Sequence, residues 1–193
     1  RRRKGNRSGH FLLLGSASLE LMHQSSETLA GRVAYLDIGP LHAREPHGAS
    51  LDTLWLRGGF PESLLARSDA ASLRWRQDFI RSYLQRDIPM FAPRLPADTL
   101  GRLWTMLAHQ HGAMLQQSRL ASALGVSNPA VDRYIGLLVD LRLVRRLPPW
   151  SENVGKRLVK SPKVYVRDSG LVHALLGLEN LHDLAGHPVC GMS

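Results

Sequence analysis

The sequence contains a single cysteine, Cys190, so an intramolecular disulfide framework and a cysteine-rich zinc site are both excluded. That scarcity fits a reducing, cytoplasmic location. The chain also lacks any uninterrupted apolar run near the roughly 20 residues that a bilayer-spanning helix needs. Its basic start leads only into a short apolar run ending at Gly15, so no membrane partner is expected. Acidic residues are few, 16 against 25 Lys and Arg, for a net charge of +9 over 193 residues. With 44% hydrophobic and 21% charged residues, the balance is that of a globular protein with a core.

The positive excess is local. Residues Arg1 to Arg7 carry five bases and no acid, and residues Arg142 to Arg167 carry eight bases and one acid, Glu152. A basic patch is the footprint of a phosphate-bearing partner, although a charged tail is as often only a solvated end.

Phe11 to Leu14 reads as a short buried strand stopped by Gly15-Ser16, a helix is plausible over Leu19 to Leu29, and Gly31 to Ile38 reads as a second strand ended by Gly39-Pro40. Such isolated strands need neighbours to form a parallel sheet, so the chain reads as starting inside a domain. The remainder is mainly helical. Trp75, Phe79 and Tyr83, with Ile80, Leu84 and Ile88, form an apolar stripe that predicts a helix over residues 71–87, stopped at Pro89. Leu100, Leu103, Trp104, Leu107, His111, Met114 and Leu115 predict a second helix over 99–115.

Residues 117–141 carry helix-turn-helix spacing. Ala121 is small where two helices would cross, Gly125 supplies a positive-φ turn, and Val131 with Ile135 seats the next helix on the first. Ser127 or Asn128 can cap that helix and Pro129 suits its first turn. Leu143 to Leu147 and Lys163 to Arg167 then read as two strands, so helices followed by a basic hairpin predict a winged helix. On that wing Arg145, Arg146, Lys156, Arg157 and Lys160 could neutralise phosphates without reading sequence. The second helix offers Asn128 and Arg133 beside Asp132, a poor set for base edges. The module is therefore either a non-specific nucleic-acid contact or a structural, partner-docking unit.

The strings Phe11-Leu-Leu-Leu-Gly-Ser-Ala-Ser18, Ser25-Ser-Glu-Thr-Leu-Ala-Gly-Arg32, Leu56-Arg-Gly-Gly-Phe-Pro-Glu62, Tyr83-Leu-Gln-Arg-Asp-Ile-Pro89 and Val159-Lys-Ser-Pro-Lys-Val-Tyr-Val-Arg-Asp-Ser-Gly-Leu171 resemble the prokaryotic AAA-type P-loop ATPases that carry a C-terminal domain of unknown function. The resemblance covers nearly the whole chain. It implies a mainly α architecture with a little β in four parts: the end of a P-loop α/β domain over residues 1–50, a helical lid over 51–97, a winged helix over 98–167, and the start of a nuclease-like domain over 168–193. It further implies that Ser16 stands near a sensor position, that the turn at Gly58, Gly59 and Pro61 approaches bound nucleotide, and that Arg32 and Arg86 are candidates for reaching a phosphate, in cis or across a homo-oligomer.

No G-x-x-x-x-G-K-[ST] loop and no apolar strand ending in Asp-Glu occurs, so the chain resembles a fragment lacking both Walker motifs. ATP and magnesium are expected in the full-length protein, not on this chain, which is expected to be inactive alone. A stand-alone winged-helix DNA-binding protein is the alternative. Other chemistry is weak: Ser16 lacks the second glycine of a nucleophile elbow, no H-E-x-x-H occurs, and Asp168 and His173 have no nucleophile fixed by sequence.

Overall fold

The computed structural model describes residues 38–45, 48–93, 95–150 and 161–193, with Ala34 and Leu36. Two compact units divide the chain, Arg1–Tyr35 and Leu36–Ser193, and the architecture below belongs to the second. The expected strand at 11–14, the helix at 19–29 and most of the strand at 31–38 lie outside the described residues, as do Ser16 and Arg32.

The described residues are mainly helical with one small antiparallel sheet. In chain order they form α1 (Leu51–Arg57), α2 (Pro61–Leu64), α3 (Asp69–Ser82), a π turn (Tyr83–Asp87), α4 (Ile88–Phe91), α5 (Ala97–His109), α6 (Gln117–Leu124), α7 (Asn128–Asp140), β1 (Val144–Leu147), β2 (Lys163–Val166), α8 (Ser169–Leu175) and α9 (Leu181–Ala185). Side-chain caps start several of them. The hydroxyls of Ser50, Ser68 and Ser127 accept the amides of Thr53, Ala71 and Ala130, satisfying donors that have no partner inside a helix.

Two predicted helices end differently from their stripes. Pro89 does not stop the first. A proline clashes with the carbonyl four residues back and lacks an amide. Here the preceding turn widens, so that the Ile88 amide returns to the Tyr83 carbonyl, and the helical path continues through Pro89 to Phe91. The stripe of this helix packs on the core, with Ile88 fully buried and Phe79, Ile80, Tyr83 and Leu84 partly so. Trp75, Phe79 and Tyr83 stack in a half-buried row with Phe60, at centroid spacings of 5.1–5.6 Å, whereas Ser72, Leu73 and Arg76 are buried. The second predicted helix ends at His109, not at residue 115. Gly112 adopts φ 74° and donates its amide to the Val164 carbonyl, and Met114 bridges Lys163, so this segment leaves the helix to lie along β2.

The helix-turn-helix spacing produces α6 and α7 joined at Gly125, whose φ of 68° is the left-handed conformation a side chain resists. Leu120, Ala121, Val131, Ile135 and Leu138 are buried in the core that these helices share with α5. The strands pair as expected, with Val144 opposite Val166, Arg145 opposite Tyr165 and Leu147 opposite Lys163. One core runs from Leu56 through Trp104 and Val164 to Leu171, Val172, Leu184 and Val189, so residues after Asp168 complete the same core as α5 and the sheet.

Candidate functional site

Two adjoining places gather the charged groups: a buried polar node behind the Gly58-Gly59 turn, and an open groove on the face of the hairpin. The node begins with α1, whose end is set by Gly58 at φ 76°. Gly58 and Gly59 are buried, and Gly59 donates its amide to the Asp168 carboxylate at 2.7 Å. The other carboxylate oxygen accepts the Leu171 amide at 2.9 Å and caps α8. The packing leaves no room for side chains here. A Cβ on Gly58 would fall on the Asp168 carboxylate, one on Gly59 on the Leu41 carbonyl, and one on Gly170 on the Arg57 carbonyl.

Arg76, fully buried, lies behind this contact. Its Nη1 donates to the carbonyls of Leu56 (3.1 Å) and Gly170 (2.8 Å), and its Nε to that of Ser72 (3.3 Å). Nη2 has no partner among the described residues. Burial lowers the Arg76 pKa to about 10, against the opposing pull of Asp168, so the guanidinium stays charged at neutral pH. Burial likewise raises the Asp168 pKa, partly offset by the amides of Gly59 and Leu171 and by Arg76. Next to them His173 is buried and held down to about pKa 4 by desolvation. Its Nδ1 donates to the Leu56 carbonyl, which can only accept, leaving Nε2 to accept the Ser193 hydroxyl at 3.1 Å. The Trp55 indole donates to that same hydroxyl.

Apart from Arg76 Nη2, the polar groups of this node are committed to partners within the chain, and its chemistry is structural. The glycine turn expected to approach nucleotide has its Gly59 amide committed to Asp168, and Pro61 stands exposed at the start of α2. In this chain the turn packs closely against Asp168 and Leu41. Arg86 is exposed on the π turn.

The hairpin separates its cations by face. Arg146 turns toward α7 and pairs with Asp132, at 2.9 Å to the carboxylate and 3.0 Å to the carbonyl. Arg145, exposed, lies on the opposite face beside Tyr165, and Arg167 follows just past the end of β2. Asn128 and Arg133 are exposed on α7, and the Asn128 carbonyl accepts from Gln117. Lys156, Arg157 and Lys160 lie outside the described residues.

Sequence reasoning missed three residues that matter here: Arg76, Arg167, and Asp168 as the partner of Gly59. One signal was available for the first, an arginine four residues after Ser72 on the face carrying Leu73. Nothing in the sequence links Gly59 to Asp168, 109 positions away.

A family model described as "Domain of unknown function (DUF8612)" matches residues 48–182. Uncharacterized proteins of Mycobacterium bovis (strain ATCC BAA-935 / AF2122/97) and Mycobacterium tuberculosis (strain ATCC 25618 / H37Rv) are each 45% identical over 183 residues, covering 95% of this chain and 42% of either relative. The chain thus spans about two-fifths of the length of the curated relatives it matches. No solved structure matches it.

Proposed function

The chain belongs to the family defined by that domain of unknown function, and from this premise we propose that it is the lid and winged-helix portion of an AAA-type ATP-driven switch. The ATP- and magnesium-binding chemistry is supplied by a part of a longer protein that this sequence does not contain. One observation carries the reading: α6 and α7 meet across a left-handed glycine turn and are followed by a paired hairpin, the order of elements that makes a winged helix. The relatives, more than twice as long as the matched stretch, leave ample chain for a P-loop domain.

The absent P-loop and the committed amide of Gly59 are both consistent with a portion that transmits a nucleotide-driven change and does not itself hydrolyse. Purified residues 1–193 are expected to show no Mg-ATP turnover, and the full-length mycobacterial relative is expected to hydrolyse Mg-ATP. Absence of hydrolysis by that relative overturns the proposal.

A second reading, a winged-helix protein contacting nucleic-acid phosphates without sequence choice, is favoured by Arg145, exposed and without an acidic partner among the described residues. Its expected signature is a log K that falls steeply with log salt on two unrelated duplexes alike.

A further inference from the structure

The groove in front of the hairpin has a composition that neither reading uses. It is open, has a volume of about 540 Å³, and is lined by His111, Arg145, Tyr165, Arg167, Ser169 and Ser193, with Gly39 and Pro40 at one edge. Among the described residues, no Asp or Glu is in that lining. A second hollow of about 430 Å³ shares Arg167, Ser169 and Ser193 with it and contributes the side chain of Trp55. Arg167 therefore stands where the two meet.

Register places the key groups. Arg145 is directly opposite Tyr165, and Arg167 is the first residue past β2, held there by its amide donating to the Leu143 carbonyl. Both side chains line the same groove, where two guanidinium groups can converge on one anion. Neither side chain has a hydrogen bond or ion pair among the described residues, in contrast to Arg146 on the other face. Arg167 is half-buried, so its unpartnered charge is only partly hydrated. Two like charges side by side with no acid between them are a local cost that an anion would remove.

The rest of the lining narrows the anion. Tyr165 is half-buried, and His111 holds its ring by an edge-on contact at 5.3 Å. His111 is itself fixed, because its Nδ1 accepts the Val166 amide at 3.2 Å. A held aromatic ring between two arginines is the arrangement that takes a phosphate and a flat base together.

We infer that this groove binds a nucleotide unit, its phosphate between Arg145 and Arg167 and its base against Tyr165, whether the unit is free or part of a single strand. This site is separate from any P-loop. It shares Arg145 with the nucleic-acid reading but does not depend on it, since binding of a mononucleotide would survive failure of both readings above.

The test is calorimetric titration of residues 1–193 at low salt with inorganic phosphate, AMP and a short oligo-dT. AMP or oligo-dT is expected to bind at least tenfold more tightly than phosphate. Arg145→Ala is expected to weaken that binding tenfold or more, as is Arg167→Ala, while Arg133→Ala on α7 leaves it unchanged. AMP binding identifies the free nucleotide as sufficient, and oligo-dT binding without AMP identifies the strand. Arg145 is exposed, so its alanine variant folds and keeps the test valid where Arg167→Ala perturbs packing. The inference is overturned if neither nucleotide probe binds, if Arg145→Ala binds as tightly as the parent, or if phosphate alone binds as tightly as AMP.

Discussion

Arg167 and Asp168 are neighbours in sequence and opposites in circumstance. Asp168 is buried, and its two oxygens take the amides of Gly59 and Leu171 with Arg76 close behind. Arg167 is half-buried at the junction of two hollows and has no side-chain partner among the described residues. A single peptide unit therefore separates a charge whose demands the fold meets from one whose demands it leaves open. The difference teaches where to look for structure and where for binding. Glycines and buried ions at the node lock α1, α3 and α8 together, and the cations of the groove have no such duty.

Four perturbations would break or sharpen that contrast. The largest effect is expected at the node. Asp168→Ala removes the acceptor for two amides and the carboxylate whose charge acts most strongly on Arg76, and each buried donor left unpaired costs about 1–3 kcal/mol. Urea unfolding measures it, and a loss below about 1 kcal/mol would mean the node is not the lock described here.

Next in size is a pH effect centred on His173. Its folded pKa of about 4 lies below the ordinary value of 6.5, so the folded state takes up fewer protons than the unfolded state between those limits. Stability is then fully present above about pH 6.5 and is lost as pH falls toward 4, by roughly 3 kcal/mol in all. His111, also lowered by burial, acts in the same sense, and Asp168, raised by burial, acts in the opposite one. Denaturation midpoints compared between the parent and His173→Gln isolate the histidine: the acid-side loss should shrink in the variant.

A smaller change belongs to the other face of the hairpin. Asp132 is more than half exposed, so Asp132→Ala should cost no more than about 1 kcal/mol despite its short contact with Arg146. Raising the salt should reduce even that difference. The smallest stability effect is expected at the groove, where Arg145→Ala should lie within about 0.5 kcal/mol of the parent. A loss comparable to that of Asp168→Ala would erase the contrast, because Arg145 would then be structural too.

The helix-turn-helix was legible because each of its signals is local. Gly125, Ser127 and Pro129 set the link, the cap and the first helical turn within five positions, and the hydrophobic spacing of α7 does the rest. The hairpin strands were legible for the same reason, and their pairing follows from two short apolar-rich runs with a loop between. Pro89 and Gly112 mark where local reading failed. The widened turn before Pro89 and the departure of residues 110–115 toward β2 depend on partners that a periodicity window does not contain.

Composition, charge placement and spacing by themselves determined a mainly helical protein with a single basic hairpin, a glycine-centred helix pair and no disulfide framework. Those properties are fixed over a few residues, by dihedral preference, capping and burial of one face. Only the tertiary structure decided that Gly59 meets Asp168 across 109 positions, that among the described residues Arg146 is paired while Arg145 is not, and that Arg167 faces a groove. The residue types at those positions do not encode these outcomes. They follow from which elements pack together, because a charge buried against amides becomes structure, and the same charge left beside open space remains available to a ligand.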